Sequence, residues 1–113
     1  AAAALVTLAD GTLNQAVDAS SIALQNIFGM TCDPVANRVE VPCLGKNVMA
    51  GSNALISANM ALADFDPVIP FHEVIAAMDE VGKSIPRELR CTNLGGLSVT
   101  PTSKEIEKQL DEN

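Results

Sequence analysis

The chain has no tryptophan and no tyrosine, and phenylalanine occurs only three times in 113 residues. Its 48% apolar content therefore rests on aliphatic side chains, above all the alanines of AAAALVTLA, SSIALQN and NALISANMALA. Such alanine-rich stretches favour helices. No apolar run reaches the ~18 residues of a membrane span, so no transmembrane helix is expected. No charged segment precedes the opening alanines and there is no initiator methionine, so the start does not read as a signal peptide. It reads as a helix entered partway, and the chain is expected to be a piece of a longer protein.

Positive charge is scarce as well. Seven Lys and Arg face 14 Asp and Glu, for a net charge of −7. Phosphate backbones and anionic lipid surfaces are repelled by such a chain, which argues against nucleic acid and membrane as partners. Three cysteines, an odd number, in so helical a chain do not suggest a secreted disulfide scaffold, and the cytoplasm is the expected compartment. No CxxC occurs, which argues against both a zinc finger and a thiol redox protein. The one histidine, His72, opens a predicted helix, where it is expected to be exposed and without a catalytic role.

What is present is helical punctuation. The length is that of one small domain, able to bury roughly 65% of its unfolded surface. Residues 1–9 read as the tail of a buried helix, and ADGT as a turn with Gly11 at positive φ. Thr12 and Gln15 fit a capping box. The helix it opens carries Leu13, Val17, Leu24, Ile27 and Phe28, and Gly29 is its expected left-handed stop. NRVEV alternates as a brief extended piece would, and Pro42 suits the start of a helix over 43–63. Ala50, Ala54, Ala58 and Ala61 form a small-residue stripe on that helix, while Gly45 and Gly51 suggest close backbone contacts. After DFDPVIP, the residues Phe71, Val74, Ile75, Met78 and Val81 predict an amphipathic helix ended by Gly82. Residues 83–101 read as irregular, and Thr102 with Glu105 as a second capping box before a short charged helix. Met30, Met49, Met60 and Met78 are assigned to core packing. The expected fold is all-α, a compact helical bundle of four or more helices, with the loop 30–42 across one end.

Two of the three thiols frame that loop. Cys32 follows a helix C-terminus and Cys43 starts a helix, where backbone amides favour a thiolate. Two buried cysteines acting as small hydrophobes explain the pattern as readily as a metal site does.

The stretch GMTCDPVANRVEVPCLGKNVMAGSNALISANMAL, with ALQNIFG before it and RCTNLGGLSVTPT near the end, resembles the iron–sulfur-dependent L-serine dehydratases, in their alpha chain or alpha domain. The resemblance runs from about residue 12 to residue 103. It implies that the whole chain, 1–113, is the C-terminal part of an alpha domain. It further implies an L-serine ammonia-lyase that makes pyruvate and ammonia, in amino-acid degradation and gluconeogenesis. The family's [4Fe-4S] cluster acts as a Lewis acid on the substrate hydroxyl, with no pyridoxal phosphate. Cys32 and Cys43 match two cluster cysteines; the third lies upstream of this chain, so this piece alone is expected to be inactive and without a cluster. Asn47, Gly95 and Gly96 are candidate substrate-binding residues, the glycines through an amide nest. No ligand role carries over to Cys91. Expected partners are L-serine, a beta chain or domain of the same enzyme, and a second copy through the apolar opening helix. The alternative is an autonomous alanine-rich helical interaction domain with structural thiols.

Overall fold

A computed structural model of the chain describes residues 1–112. Among them are five α-helices and no strand: α1 (Ala2–Leu8), α2 (Leu13–Asn26), α3 (Cys43–Leu62), α4 (Phe71–Ser84) and α5 (Pro101–Asp111). Two 3-10 turns, Arg87–Leu89 and Gly96–Val99, lie before α5. The expected all-α class is observed. The chain forms two compact units, one made of residues 1–29 with 48–83, the other of residues 30–47 with the chain from Ser84 onward. The first turn of α3 belongs to the second unit and its remainder to the first.

The core of the first unit is built mainly from alanine. Ala2 and Val6 of α1, Ala16, Ala19 and Ile22 of α2, and Ala54, Ala58 and Ala61 of α3 form one buried cluster. Three members of the predicted α3 stripe are thus buried, and Ala50 is half-buried. The large apolar residues expected inside are not: Leu13 is 80% exposed, and Val17 and Phe28 lie partly open. Methyl-sized side chains let the backbones of α1 and α2 meet closely, with the α3 alanines buried in the same cluster, and a leucine on these faces would need room the cluster does not have. Ala58→Leu is therefore expected to cost about 1–3 kcal/mol through overpacking, read as a lower urea midpoint. An unchanged midpoint would show that this face is not closed.

Polar side chains fix the connections of this unit. Thr12 and Gln15 make the expected capping box. The buried Ser21 Oγ donates to the Ile69 carbonyl at 2.6 Å, and Gln25 Nε2 donates to the Pro67 carbonyl at 3.0 Å. Both bonds satisfy backbone acceptors in the 64–70 connector, which has no helix ladder of its own. Asn53 Nδ2 donates to the Ala23 carbonyl at 2.9 Å, tying α3 to α2.

Several boundaries differ from expectation, each for a local reason. Gly29 takes a left-handed φ of 77°, yet α2 has already ended at Asn26. Asp10, not Gly11, turns left-handed. Gly11 is needed because a Cβ there would lie 2.5 Å from Val6 Cγ1. Gly82 does not stop α4, which runs on to Ser84 with open space around the glycine and with Pro86 just beyond. Gly45 and Gly51 meet nothing within 4 Å, so no close contact explains them. The stretch NRVEV is not extended: the Arg38 amide donates to the Val35 carbonyl at 2.9 Å across a turn with Ala36 and Asn37 left-handed. The cap of α5 is Thr100, whose hydroxyl accepts from the Ser103 amide, with Pro101 inside the first turn and Thr102 already helical. Met30 and Met49 are exposed rather than in the core.

Candidate thiol site

The site residues all belong to the second unit. Its loop is closed on itself by backbone bonds. The Val35 amide donates to the Val41 carbonyl at 3.0 Å, and the Leu44 amide to the Val39 carbonyl at 2.9 Å. This return brings the chain back to Cys43 as the first residue of α3. At the other end, the Cys32 amide donates to the Leu89 carbonyl at 2.9 Å, and the Cys32 carbonyl accepts from the Cys91 amide at 2.7 Å. The loop is therefore paired with the segment that carries the third thiol.

Asp33 is the brace of this arrangement. It is 6% exposed, and its two carboxylate oxygens have different partners. Oδ1 accepts from Lys46 Nζ at 3.0 Å, and Oδ2 from the Leu97 amide at 2.8 Å. Lys46 Nζ also donates to the Thr31 carbonyl at 2.7 Å. Burial pushes the Asp33 carboxyl up, but the Leu97 amide and the Lys46 ammonium more than offset it and hold the pKa below the ordinary carboxylate value. One residue thereby ties together the loop, the first turn of α3 and the turn after Gly95-Gly96. Next to it, the buried Ser98 Oγ donates to the Pro34 carbonyl at 2.6 Å.

Gly96 is where this brace demands glycine. Its φ is 62°, and a Cβ there would sit 2.6 Å from Asp33 Oδ2 and 2.9 Å from Asp33 Cβ. Gly95, by contrast, is extended, and a Cβ would crowd Glu88. The anion seated on the amide following these glycines is the protein's own Asp33 carboxylate.

The thiols interact with one another. Cys32 and Cys43 are half-buried and Cys91 is exposed. A hydrogen bond with Cys91 is the main cause that raises the Cys32 pKa; burial and the charges of Cys91 and Cys43 add to it, and Lys46 opposes it. Among the described residues no three His, Cys, Asp or Glu side chains are grouped to hold a single ion. Thiols alone, two framing the loop and one on the segment paired with it, are the donor type of a multi-iron cluster, whose thiolates attach to different irons. By donor chemistry the residues present fit such a group.

Of the candidates named from sequence, Cys32, Cys43, Asn47, Gly95 and Gly96 share this unit. Asn47 is exposed, and its Nδ2 donates to the Cys43 carbonyl at 2.8 Å. His72 lies in the other unit with its side chain 82% exposed. Sequence reasoning missed Asp33 and the pairing of the Cys91 segment with Cys32. It also missed Asn93, left-handed at φ 57°, whose Oδ1 is buried without a hydrogen-bond partner among the described residues. An acid between a cysteine and a proline in an apolar loop was the available signal for Asp33.

An all-helical chain with two thiols framing one loop and a third on the segment paired with it has known relatives: it is a member of the serine dehydratase alpha chain family, whose model matches residues 1–98. In particular, it is 51% identical over 110 residues to the probable L-serine dehydratase, alpha chain, of Bacillus subtilis (strain 168), a match covering 97% of this chain and 37% of that protein. It is 49% identical to the probable L-serine dehydratase, alpha chain, of Latilactobacillus sakei, over 96% of this chain and 52% of that one. The L-serine dehydratase, alpha chain, of Peptoniphilus asaccharolyticus is 46% identical over 97% of this chain and 38% of its own length. The chain thus spans from about a third to about half of these relatives. No solved structure matches it. Among the described residues no helix is long and apolar enough to cross a membrane.

Proposed function

We propose that this chain supplies part of the active site of an L-serine ammonia-lyase, which converts L-serine to pyruvate and ammonia. The observation that carries the reading is the thiol loop: Cys32 and Cys43 are held at its two ends by backbone pairing and the Asp33 brace, in a chain of the serine dehydratase alpha family. Cys32 and Cys43 would each ligate a [4Fe-4S] cluster. When bound, that cluster supplies an iron able to polarise the substrate hydroxyl as a leaving group, so that no pyridoxal phosphate is called for.

The chain's own groups bind and orient. Asn47 spends one amide hydrogen on Cys43 and keeps the other, with its carbonyl oxygen, for the substrate or a cluster sulfur. Backbone amides at Gly95 and Gly96 receive the substrate carboxylate beside the turn that Asp33 fixes. Asn93 Oδ1, an unspent acceptor in the same loop, suits the substrate ammonium. Lys46 neutralises Asp33 and leaves the loop's charge to the thiolates. The exposed Val48 and Met49 on α3 suit cover by a beta chain or domain, and Leu8 and Leu13 suit cover by a second copy. The acidic charge and the free thiols suit the cytoplasm. The interaction-domain alternative gains nothing from the family match.

The test is pyruvate formation from L-serine by the complete protein with its beta partner, reconstituted without oxygen with iron and sulfide. Turnover is expected without pyridoxal phosphate and to survive hydroxylamine, which traps that cofactor. Turnover that requires pyridoxal phosphate, or none with any addition, contradicts the reading.

A further inference from the structure

The thiol that the cluster reading leaves over is Cys91, and the fold gives it a partner. Cys32 and Cys91 are far apart in sequence but joined by two backbone hydrogen bonds that pair Cys32 with Arg90 in parallel. Of the groups around it, Cys91 does most to raise the Cys32 thiol pKa. Cys91 is exposed and held at φ 62°, a region that a non-glycine residue seldom enters unaided, so the pairing fixes where its thiol stands. The absent CxxC rules out a redox pair made by local sequence; here the fold pairs two separate cysteine-bearing segments.

We propose that Cys32 and Cys91 form a dithiol that closes to an intramolecular disulfide by exchange with a low-molecular-weight disulfide such as oxidised glutathione, and that closure withdraws Cys32 from metal. The second half rests on the cluster reading; the first does not. Exposed Cys91 attacks one sulfur of oxidised glutathione as its thiolate, one glutathione thiolate leaves, and a mixed disulfide forms on Cys91. Cys32, as its thiolate, then attacks the Cys91 sulfur and the second glutathione thiolate leaves. The two cysteines lose two electrons and two protons, and oxidised glutathione takes both up as two thiols.

The experiment uses the complete protein, metal-free and kept from oxygen, treated with oxidised glutathione and digested without reductant. The Cys32 and Cys91 peptides are expected as one species, lighter than their sum by two hydrogens. Alkylation of Cys32 by iodoacetamide should fall at least tenfold in the native protein. In Cys91→Ser, checked for unchanged helical circular dichroism, alkylation of Cys32 should not fall. Cys32 joined to Cys43, or glutathione retained on Cys91 with Cys32 still reactive, overturns the pair. A second arm adds iron and sulfide. Oxidised protein should take up at least tenfold less iron than reduced protein, and Cys91→Ser should be indifferent to the oxidant. Equal uptake by the two native forms overturns the withdrawal from metal. No uptake by either form sinks the cluster reading, while the peptide map still decides the dithiol.

Discussion

Cys32→Ser and Cys43→Ser, each made in the complete enzyme, are expected to lose bound iron and to lower serine turnover by more than about a hundredfold, the loss already typical of residues one shell further from a metal. A serine hydroxyl stays protonated at neutral pH and is a hard donor, whereas iron–sulfur clusters take thiolates. The backbone around Cys32 is held by its own amide and carbonyl, through Leu89 and Cys91, and not by the sulfur. The variant therefore keeps the loop, and what disappears is the ligand. Unchanged helical circular dichroism beside absent iron separates that loss from misfolding. Cys91→Ser should retain most of the iron and most of the turnover, because Cys91 lies on the segment paired with Cys32 and at neither end of the loop. A Cys32→Ser enzyme with its iron and full activity would remove Cys32 from the site.

Gly96→Ala is expected to be the most damaging single methyl group in the second unit. Two costs add. An L side chain at φ 62° costs about 1 kcal/mol, and crowding a packed site costs about 1–3 kcal/mol more. The crowded neighbour has little room to yield. Asp33 is fixed by the Leu97 amide at one oxygen and by Lys46 at the other, and its Cβ would itself lie 2.9 Å from the new methyl. The expected loss of about 2–4 kcal/mol should appear as a lower unfolding midpoint. Lys46 should also be released, since its partner must move. Gly82→Ala serves as the control: its surroundings are open within α4, and replacing an interior helix glycine by alanine gains about 0.5–1 kcal/mol. A Gly96→Ala protein as stable as the native one would mean that Asp33 does not brace this turn.

Much of this architecture was legible in the residues. Capping signals are local, so Thr12 with Gln15 marked the start of α2 without any tertiary knowledge, while Gly29 is left-handed as read but lies past the end of the helix. The alanine stripe of α3 was legible because helical spacing puts Ala54, Ala58 and Ala61 on one face. What periodicity could not show was which face of α2 is buried. The rule that large apolar residues lie inside chose Leu13 and Val17, and close helix packing chose Ala16 and Ala19 instead. Gly82 misled for a related reason: glycine weakens a helix but does not end one while the next residues can continue it. At the site, the loop and two of its thiols stood out from their places at helix ends and from the family resemblance. Asp33 did not, because its partners Lys46 and Leu97 are brought to it only by the fold. The nearness of Cys91 to Cys32 was hidden in the same way, since it depends on a backbone pairing across most of the second unit.

The central claim is that the thiol loop holds an iron–sulfur cluster that meets serine directly. Mössbauer spectroscopy of the complete enzyme, reconstituted with isotopically enriched iron and measured with and without L-serine, tests it most closely. The spectrum should be that of a thiolate-bound cluster, and L-serine should change the signal of one iron while the others stay as they were. Iron signals that L-serine leaves untouched in an enzyme that is turning serine over would contradict the account.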